Sequence, residues 1–288
     1  MLLVVGLLAA AVILLWSTTP PLANRPFAAI PPSPRGEGVA PWEPIFAGVE
    51  RCQAFTDQPR LMRIYAVRVD LRAPGVDFLV TPGNGRQPKD ANARTTSGFL
   101  REFKCQVAIN GSPFAMPLAS APGDPLTVLG LSLSRGDLYS SPSRYDALMI
   151  SADRRLWIAR PPIDLRDAYN GLCGFHVLLV KDVNQGDDSD CHPRSAVGIS
   201  RDGRFLLLMA IDGRQVGYSE SATTRETAEW LRRLGAYDAL NLDGGGSTTL
   251  VIEGPNGEPL RLNRPSGGAE RPVANHLGVY ARPLESRE

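Results

Sequence analysis

The chain has no surplus of charge: 31 Lys and Arg face 30 Asp and Glu across 288 residues, a formal net charge of +1. No block of like charge interrupts this balance, so no bulk field draws in a nucleic acid or an anionic membrane surface, and a nucleic-acid role is set aside. Histidine is scarce, at three residues, and His192 beside Cys191 has no partner at metal-ligand spacing. The four cysteines form no Cys-x-x-Cys pair, which excludes the usual zinc and thioredoxin-like arrangements. No local motif marks any of them as a nucleophile. Aromatic residues are modest at 7%, and no fixed-period repeat is visible. The apolar run from Met1 to Trp16 is shorter than the roughly 20 residues a spanning helix requires.

What is abundant is turn-forming residues, with Gly 28 and Pro 25, beside 43% hydrophobic content. That combination suits a β-rich fold with a sizeable core. The expected organisation has three parts. Residues 1–23 are a secretory signal or an uncleaved N-terminal anchor, residues 24–44 a Pro-rich linker, and residues 45–288 a single large domain. Either N-terminal reading exports the body from the cytoplasm, with the membrane involved only through an anchor. In that setting the even number of cysteines implies two disulfides, and Cys52–Cys105 with Cys173–Cys191 is the favoured pairing.

The expected fold class is α+β: a β-rich mixed sheet with a few packing helices. Apolar runs predict strands at 61–70, 76–81, 106–110, 127–133, 146–150, 155–159, 176–181, 196–200, 204–211, 237–242 and 248–253. Two helices are expected. One covers 93–104; the other covers 224–234, where Thr223 and Glu226 form a capping box and Gly235 stops the helix. Strand 204–211, this helix and strand 237–242 follow in sequence and suggest a crossover unit.

The most informative stretch is Asn241-Leu242-Asp243-Gly244-Gly245-Gly246-Ser247-Thr248-Thr249, where an apolar strand ends in an acid and three glycines. An Asp-Gly turn alone needs no ligand. Three successive glycines allow close backbone approach, and their N–H groups suit an anion. Two further strand ends carry similar dipeptides, Asp212-Gly213 and Asn110-Gly111. If the strands are parallel, Asp212 and Asp243 leave the sheet at one edge, where two carboxylates can divide acid and base work on a glycosidic bond. Each dipeptide taken singly reads first as an ordinary turn; their convergence is what points to a site.

Four blocks together resemble the phosphodiester glycosidase family. They are Ala108-Ile109-Asn110-Gly111-Ser112-Pro113-Phe114; Arg194 through Ile199; Ala239 through Thr249; and Asn263 through Ser266 followed by Glu270 through Val279. They span roughly residues 60–282 in the family's order. Ser112-Pro113 departs from the Asn-Gly-Gly-Phe-Phe-like segment usual there, which bears on the pocket wall and the substrate.

The resemblance implies hydrolysis of a sugar-1-phosphodiester in an envelope or extracellular glycan. Asp243 is then the first candidate for the catalytic carboxylate and Asp212 the second. Arg194 and Arg271 are candidates for the phosphate, with N–H groups of Gly244, Gly245 and Gly246 beside them. Asn110, Gly111, Asn241, Ser247, Thr248, Asn275 and His276 complete the expected substrate-binding set. The alternative readings are a carbohydrate- or phosphate-binding protein without turnover and a glycosidase of ordinary O-glycosides. No cofactor or catalytic metal is implied. The acidic segment Asp182 to Asp190 has oxygen ligands for a structural calcium, but its spacing departs from an EF-hand and it reads first as a solvated loop. His176, within an apolar run, reads as a core residue.

Overall fold

The computed structural model describes residues 36–115 and 121–284; the expected signal or anchor and the first part of the expected linker lie outside them. Strands dominate, as expected. The largest sheet contains β1 (Glu37–Val39), β2 (Glu43–Phe46), β3 (Val49–Thr56) and β4 (Met62–Asp70), then β14 (His176–Val180), β15 (Val183–Asn184), β16 (Arg194–Ile199), β17 (Phe205–Ile211) and β18 (Asp238–Asn241). Its order is β1-β3-β4-β17-β16-β18-β14-β15, with β2 also on β3. A second sheet runs β20 (Pro259–Arg261), β19 (Leu250–Glu253), β7 (Val107–Asn110), β21 (His276–Tyr280), β5 (Asp77–Val80). A third runs β10 (Asp137–Ser140), β9 (Ser132–Ser134), β13 (Asn170–Cys173), β11 (Ala147–Ile150), β12 (Leu156–Ala159). Two short strands, β6 (Ala91–Asn92) and β8 (Pro125–Leu126), pair separately.

Neighbouring strands pair antiparallel throughout these sheets, so the pairing is not mixed. The crossover nevertheless exists in a split form. Both β17 and β18 run against β16, which lies between them, and are therefore parallel to each other. Residues 37–39 lie in the expected linker and residues 43–46 straddle its end at 44, yet both are strands on β3, so the large sheet begins before residue 45.

Alternation along the strands sorts side chains between two layers. Leu206, Leu208 and Ala210 of β17 enter a central core with Val67 and Val69, facing Val107, Ile109, Leu148, Leu250 and Leu277 of the smaller sheets. Leu207, Met209 and Ile211 point the other way, beneath helix α2 (Thr224–Arg233). Helix α1 (Thr96–Phe103) likewise covers the outer face of the second sheet through Phe99 and Leu100. The capping box of α2 forms as expected: Thr223 Oγ1 accepts from the Glu226 N–H, and Glu226 accepts from the Thr223 N–H at 2.8 Å. Among the described residues, no helix is long and apolar enough to cross a membrane.

The expected disulfides are absent; all four cysteines are free. Cys52 belongs to the cluster under α2 and Cys105 to the cluster under α1, on opposite outer sides of the central core. Packed sheets stand about 10 Å apart, beyond the reach of a disulfide between their outer faces. Cys173 is buried in a third cluster, its thiol bonded to the Leu129 carbonyl, while Cys191 is exposed. Burial pushes the Cys52 and Cys173 thiols up to about 11 and Cys105 to about 12. Iodoacetamide on the native protein is therefore expected to label Cys191 alone, and denaturation without reductant to release all four thiols. A mass spectrum showing two fewer adducts in the denatured sample would restore a disulfide.

Candidate functional site

The ends of β7, β17 and β18 meet at one edge of the molecule, held by Asn110. Its amide is fully buried. Asn110 Nδ2 donates to the Asp243 carbonyl at 2.6 Å, and Asn110 Oδ1 accepts from Ser195 Oγ at 2.6 Å and from the Thr249 N–H at 3.1 Å. The Asp243 N–H donates to the Gly111 carbonyl at 3.0 Å, and the Gly111 N–H to the Asn275 carbonyl at 2.8 Å. Both sides of the Asp243 peptide are thus fixed by the neighbouring sheet. The carboxylate is left at the rim.

The glycine turn that follows is a short 3-10 turn, Gly245–Ser247. Gly245 has φ +61°, a region that side-chain-bearing residues rarely adopt. At Gly246 a Cβ would stand 2.1 Å from Arg271 Nη2, so the guanidinium rests directly on the main chain. The turn spends most of its own donors: Gly245 N–H goes to the Pro193 carbonyl at 2.8 Å, Ser247 N–H to Gly244 and Thr248 N–H to Gly245. The expected anion nest is therefore reduced. The N–H groups of Gly244 and Gly246 are not spent on another backbone carbonyl, and that of Gly244 faces the Asp243 carboxylate.

Asp243 is partly exposed, and its carboxyl is pushed up to about 6 by burial, a shift limited by the Ser247 hydroxyl, then by Arg271 and the Gly244 N–H. Arg271 Nη1 donates to Ser247 Oγ at 3.4 Å. Across the turn, Arg214 approaches to 3.2 Å from where a Gly245 Cβ would lie. Its Nη2 is 3.2 Å from His192 Nδ1. Neither arginine forms an ion pair among the described residues. Two cations without carboxylate partners therefore flank the turn, and Arg214 was not foreseen. Its signal was present as Asp212-Gly213-Arg214 at a strand end, but the positive φ of +59° that turns the chain there was not legible.

The remaining expected residues are placed differently. Asp212 leaves the sheet at the same edge as Asp243 but is 1% exposed, with both oxygens occupied. They accept from Asn263 Nδ2 at 2.9 Å, the Arg264 N–H at 3.0 Å and Tyr218 OH at 3.3 Å. Burial pushes it to about 6, those bonds opposing the rise. Asn263 in turn binds the Thr248 carbonyl and the Leu250 N–H, so Asp212 is a strut beneath the turn, not a second reacting carboxylate. Arg194 is buried and donates to the Ala222 and Asp190 carbonyls at 2.9 and 2.6 Å, where it ties loops together in place of meeting a ligand. Asn275 is buried between Ser112, Ser132 and Tyr139. His276 is buried in the core, stacked on Phe99 at 4.7 Å and held neutral, its pKa pushed down to about 3 by burial. Asn241 Oδ1 and Thr248 Oγ1 are buried without hydrogen-bond partners.

His176 opens β14, and its Nε2 is likewise buried and unpartnered. The acidic loop folds onto α2: Asp188 pairs with Arg225 at 2.8 Å and accepts from Thr223, while Asp187 binds Ser189. No group of three metal-ligating carboxylates, thiols or imidazoles gathers among the described residues.

The sequence profile of the phosphodiester glycosidase family matches residues 103–280, and the chain belongs to that family. It is 43% identical over 61 residues to mouse N-acetylglucosamine-1-phosphodiester alpha-N-acetylglucosaminidase, covering 21% of this chain and 11% of that protein. It is 34% identical over 113 residues to the SPbeta prophage-derived uncharacterized protein YomE of Bacillus subtilis, covering 36% of this chain and 16% of that protein. The matches thus span a small part of these longer relatives. In fold, the chain resembles the zebrafish N-acetylglucosamine-1-phosphodiester alpha-N-acetylglucosaminidase catalytic domain, with a TM-score of 0.63 at 21% identity over 86% of this chain and 89% of that one. A hypothetical protein from Synechocystis gives a TM-score of 0.62 at 18% identity over 84% and 64%.

The raised pKa of Asp243 has a cost in stability. The folded state holds the proton more tightly than the unfolded state, so stability falls as pH rises from about 4 through 6. By neutral pH the loss is on the order of 1–3 kcal/mol. Asp243→Asn is expected to be more stable than the parent at pH 7.5 by that order and nearly equal to it at pH 4. Urea unfolding at both values checks this; a destabilised variant at pH 7.5 would mean that the carboxylate supports the turn.

Proposed function

We propose that this chain is an exported hydrolase that cleaves the glycosidic C–O bond of a sugar-1-phosphodiester, releasing free sugar and a phosphomonoester. One observation carries the reading: Asp243, a partly exposed residue, stands on a backbone turn flanked by Arg214 and Arg271, neither of which forms an ion pair among the described residues. Family membership supports the reaction class, and the names of the mouse and zebrafish relatives suggest N-acetylglucosamine as the first sugar to test. Export rests on the apolar run Met1 to Trp16 and the Pro-rich residues after it.

The chemistry follows from the charges. Guanidinium forks on either side of the turn suit a phosphodiester oxygen pair, and the Gly246 N–H adds a neutral donor. A phosphomonoester departs without strong acid assistance, so a second carboxylic acid is unnecessary, consistent with Asp212 being consumed by the scaffold. The demand falls on the developing oxocarbenium ion and the attacking water, which an ionised Asp243 can stabilise and orient. A non-catalytic binding role draws on the Ser112-Pro113 departure; there Ser112 bonds Asn275 and the Cys173 N–H.

Sugar release from a panel of sugar-1-phosphodiesters, led by an N-acetylglucosamine diester, tests both readings. Turnover is expected to rise through pH 6 as Asp243 ionises, and to vanish in Asp243→Asn. Arg271→Ala and Arg214→Ala should each lower kcat/KM by about 10²–10³-fold on diesters, a loss typical of one transition-state donor. Binding without release across the panel would favour the non-catalytic reading. Equal rates on neutral aryl glycosides in the arginine variants would make the chain an ordinary glycosidase.

A further inference from the structure

We propose a second carbohydrate site, for a neutral hydroxyl-rich glycan, in the cleft beside Trp157. The cleft, about 470 Å³, is lined by Arg155, Trp157, Asp164, Arg166 and Asp167, none of which belongs to the glycine-turn site. One wall is the edge strand β12 with Trp157 and the residue just before it, Arg155, whose guanidinium lies over the Trp157 ring. The other is the segment after it, where the chain alternates. Ile163, Leu165 and Ala168 pack inward on the cluster of Leu131, Ala147, Met149 and Cys173, leaving Asp164, Arg166 and Asp167 exposed toward the cleft.

The lining selects its ligand class. Arg155 pairs with Asp167 at 3.1 Å, and Arg166 pairs with Asp164, so the cleft has no net charge. A phosphate would meet two carboxylates, and a cation two guanidiniums. A polyol meets donors and acceptors beside an indole whose face is covered by the exposed Arg155 guanidinium, 5.6 Å from the ring centroid, so the polyol's C–H face packs there by displacing that side chain. These ion pairs are more than half exposed and contribute little to stability, so sugar hydroxyls can take over their partners at small cost. An apolar ligand is disfavoured by the charged rim; a polar ligand with one apolar face fits.

The cleft is also joined to the glycine-turn site. Trp157 and Tyr145 pack on the same buried cluster, and Tyr145 meets Phe175 edge-on at 5.8 Å. Phe175 is exposed and donates its N–H to the Asn241 carbonyl at 2.8 Å, two residues before Asp243. The shared cluster and the Phe175 backbone thus link the cleft wall to the strand that carries Asp243. This inference deepens the glycan reading above, but its test requires no turnover.

The probes are two neutral tetrasaccharides, maltotetraose and the N-acetylglucosamine tetramer, titrated calorimetrically into the full chain. At least one is expected to bind, equally in Asp243→Asn. Trp157→Ala should weaken it about tenfold or more, equivalent to about 1.4 kcal/mol. Arg166→Ala, at a side chain 87% exposed, gives a second variant that leaves the fold intact and should also weaken it. Absence of binding by either probe would overturn the proposal. So would binding that survives in both cleft variants but is lost in Arg271→Ala, which would assign it to the glycine turn.

Discussion

The site depends on the fully buried amide of Asn110, which joins two sheets across the central core. One side chain receives hydrogen bonds from Ser195 of β16 and from Thr249 at the start of β19's approach, and donates one to the peptide of Asp243. A buried amide leaving any of these groups unpaired would cost about 1–3 kcal/mol for each. The arrangement therefore sets where the strand ends lie relative to one another, and with them the position of the carboxylate. Asp212 performs the same service on the opposite side of the turn, through Asn263 and the Arg264 N–H. The two polar supports meet in the short run Thr248–Leu250, which both of them bind. Removing either support would move Asp243 before it disturbed the apolar core.

Much of this was legible in the sequence where the signal is local. Helix α2 is written by Thr223 and Glu226, three positions apart, and its capping box forms. The apolar strands β4, β16 and β17 were found because Leu and Val alternate or run continuously. Strand β3 escaped, since Glu50, Arg51 and Gln53 interrupt its pattern; Arg51 is nonetheless buried, paired with Glu43 of β2. Proline-rich residues 37–46 concealed two edge strands for the same reason: edge positions tolerate proline, and composition there resembles a linker.

The site was legible as a place and less so as a set of roles. That Asp212 and Asp243 share an edge follows from strand, helix and strand in order. That Asp212 has no free oxygen follows from Asn263, Arg264 and Tyr218, which no spacing rule connects to it. Similarly, Arg194 and Asn275 carry the right chemistry for a ligand and spend it on carbonyls and hydroxyls of the scaffold. Cysteine parity failed for a related reason. Even number says nothing about layer, and the layers separate Cys52 from Cys105.

The contact of Arg271 with Gly246 has an entropic meaning. Because Gly246 carries no side chain, the main chain under the guanidinium adds no side-chain torsions of its own to the floor of the site. Long side chains forfeit up to about 2 kcal/mol each when a ligand immobilises them, and a backbone floor forfeits none. A ligand settling on Gly245 and Gly246 meets a surface already ordered by folding, so the freedom lost on binding is chiefly its own.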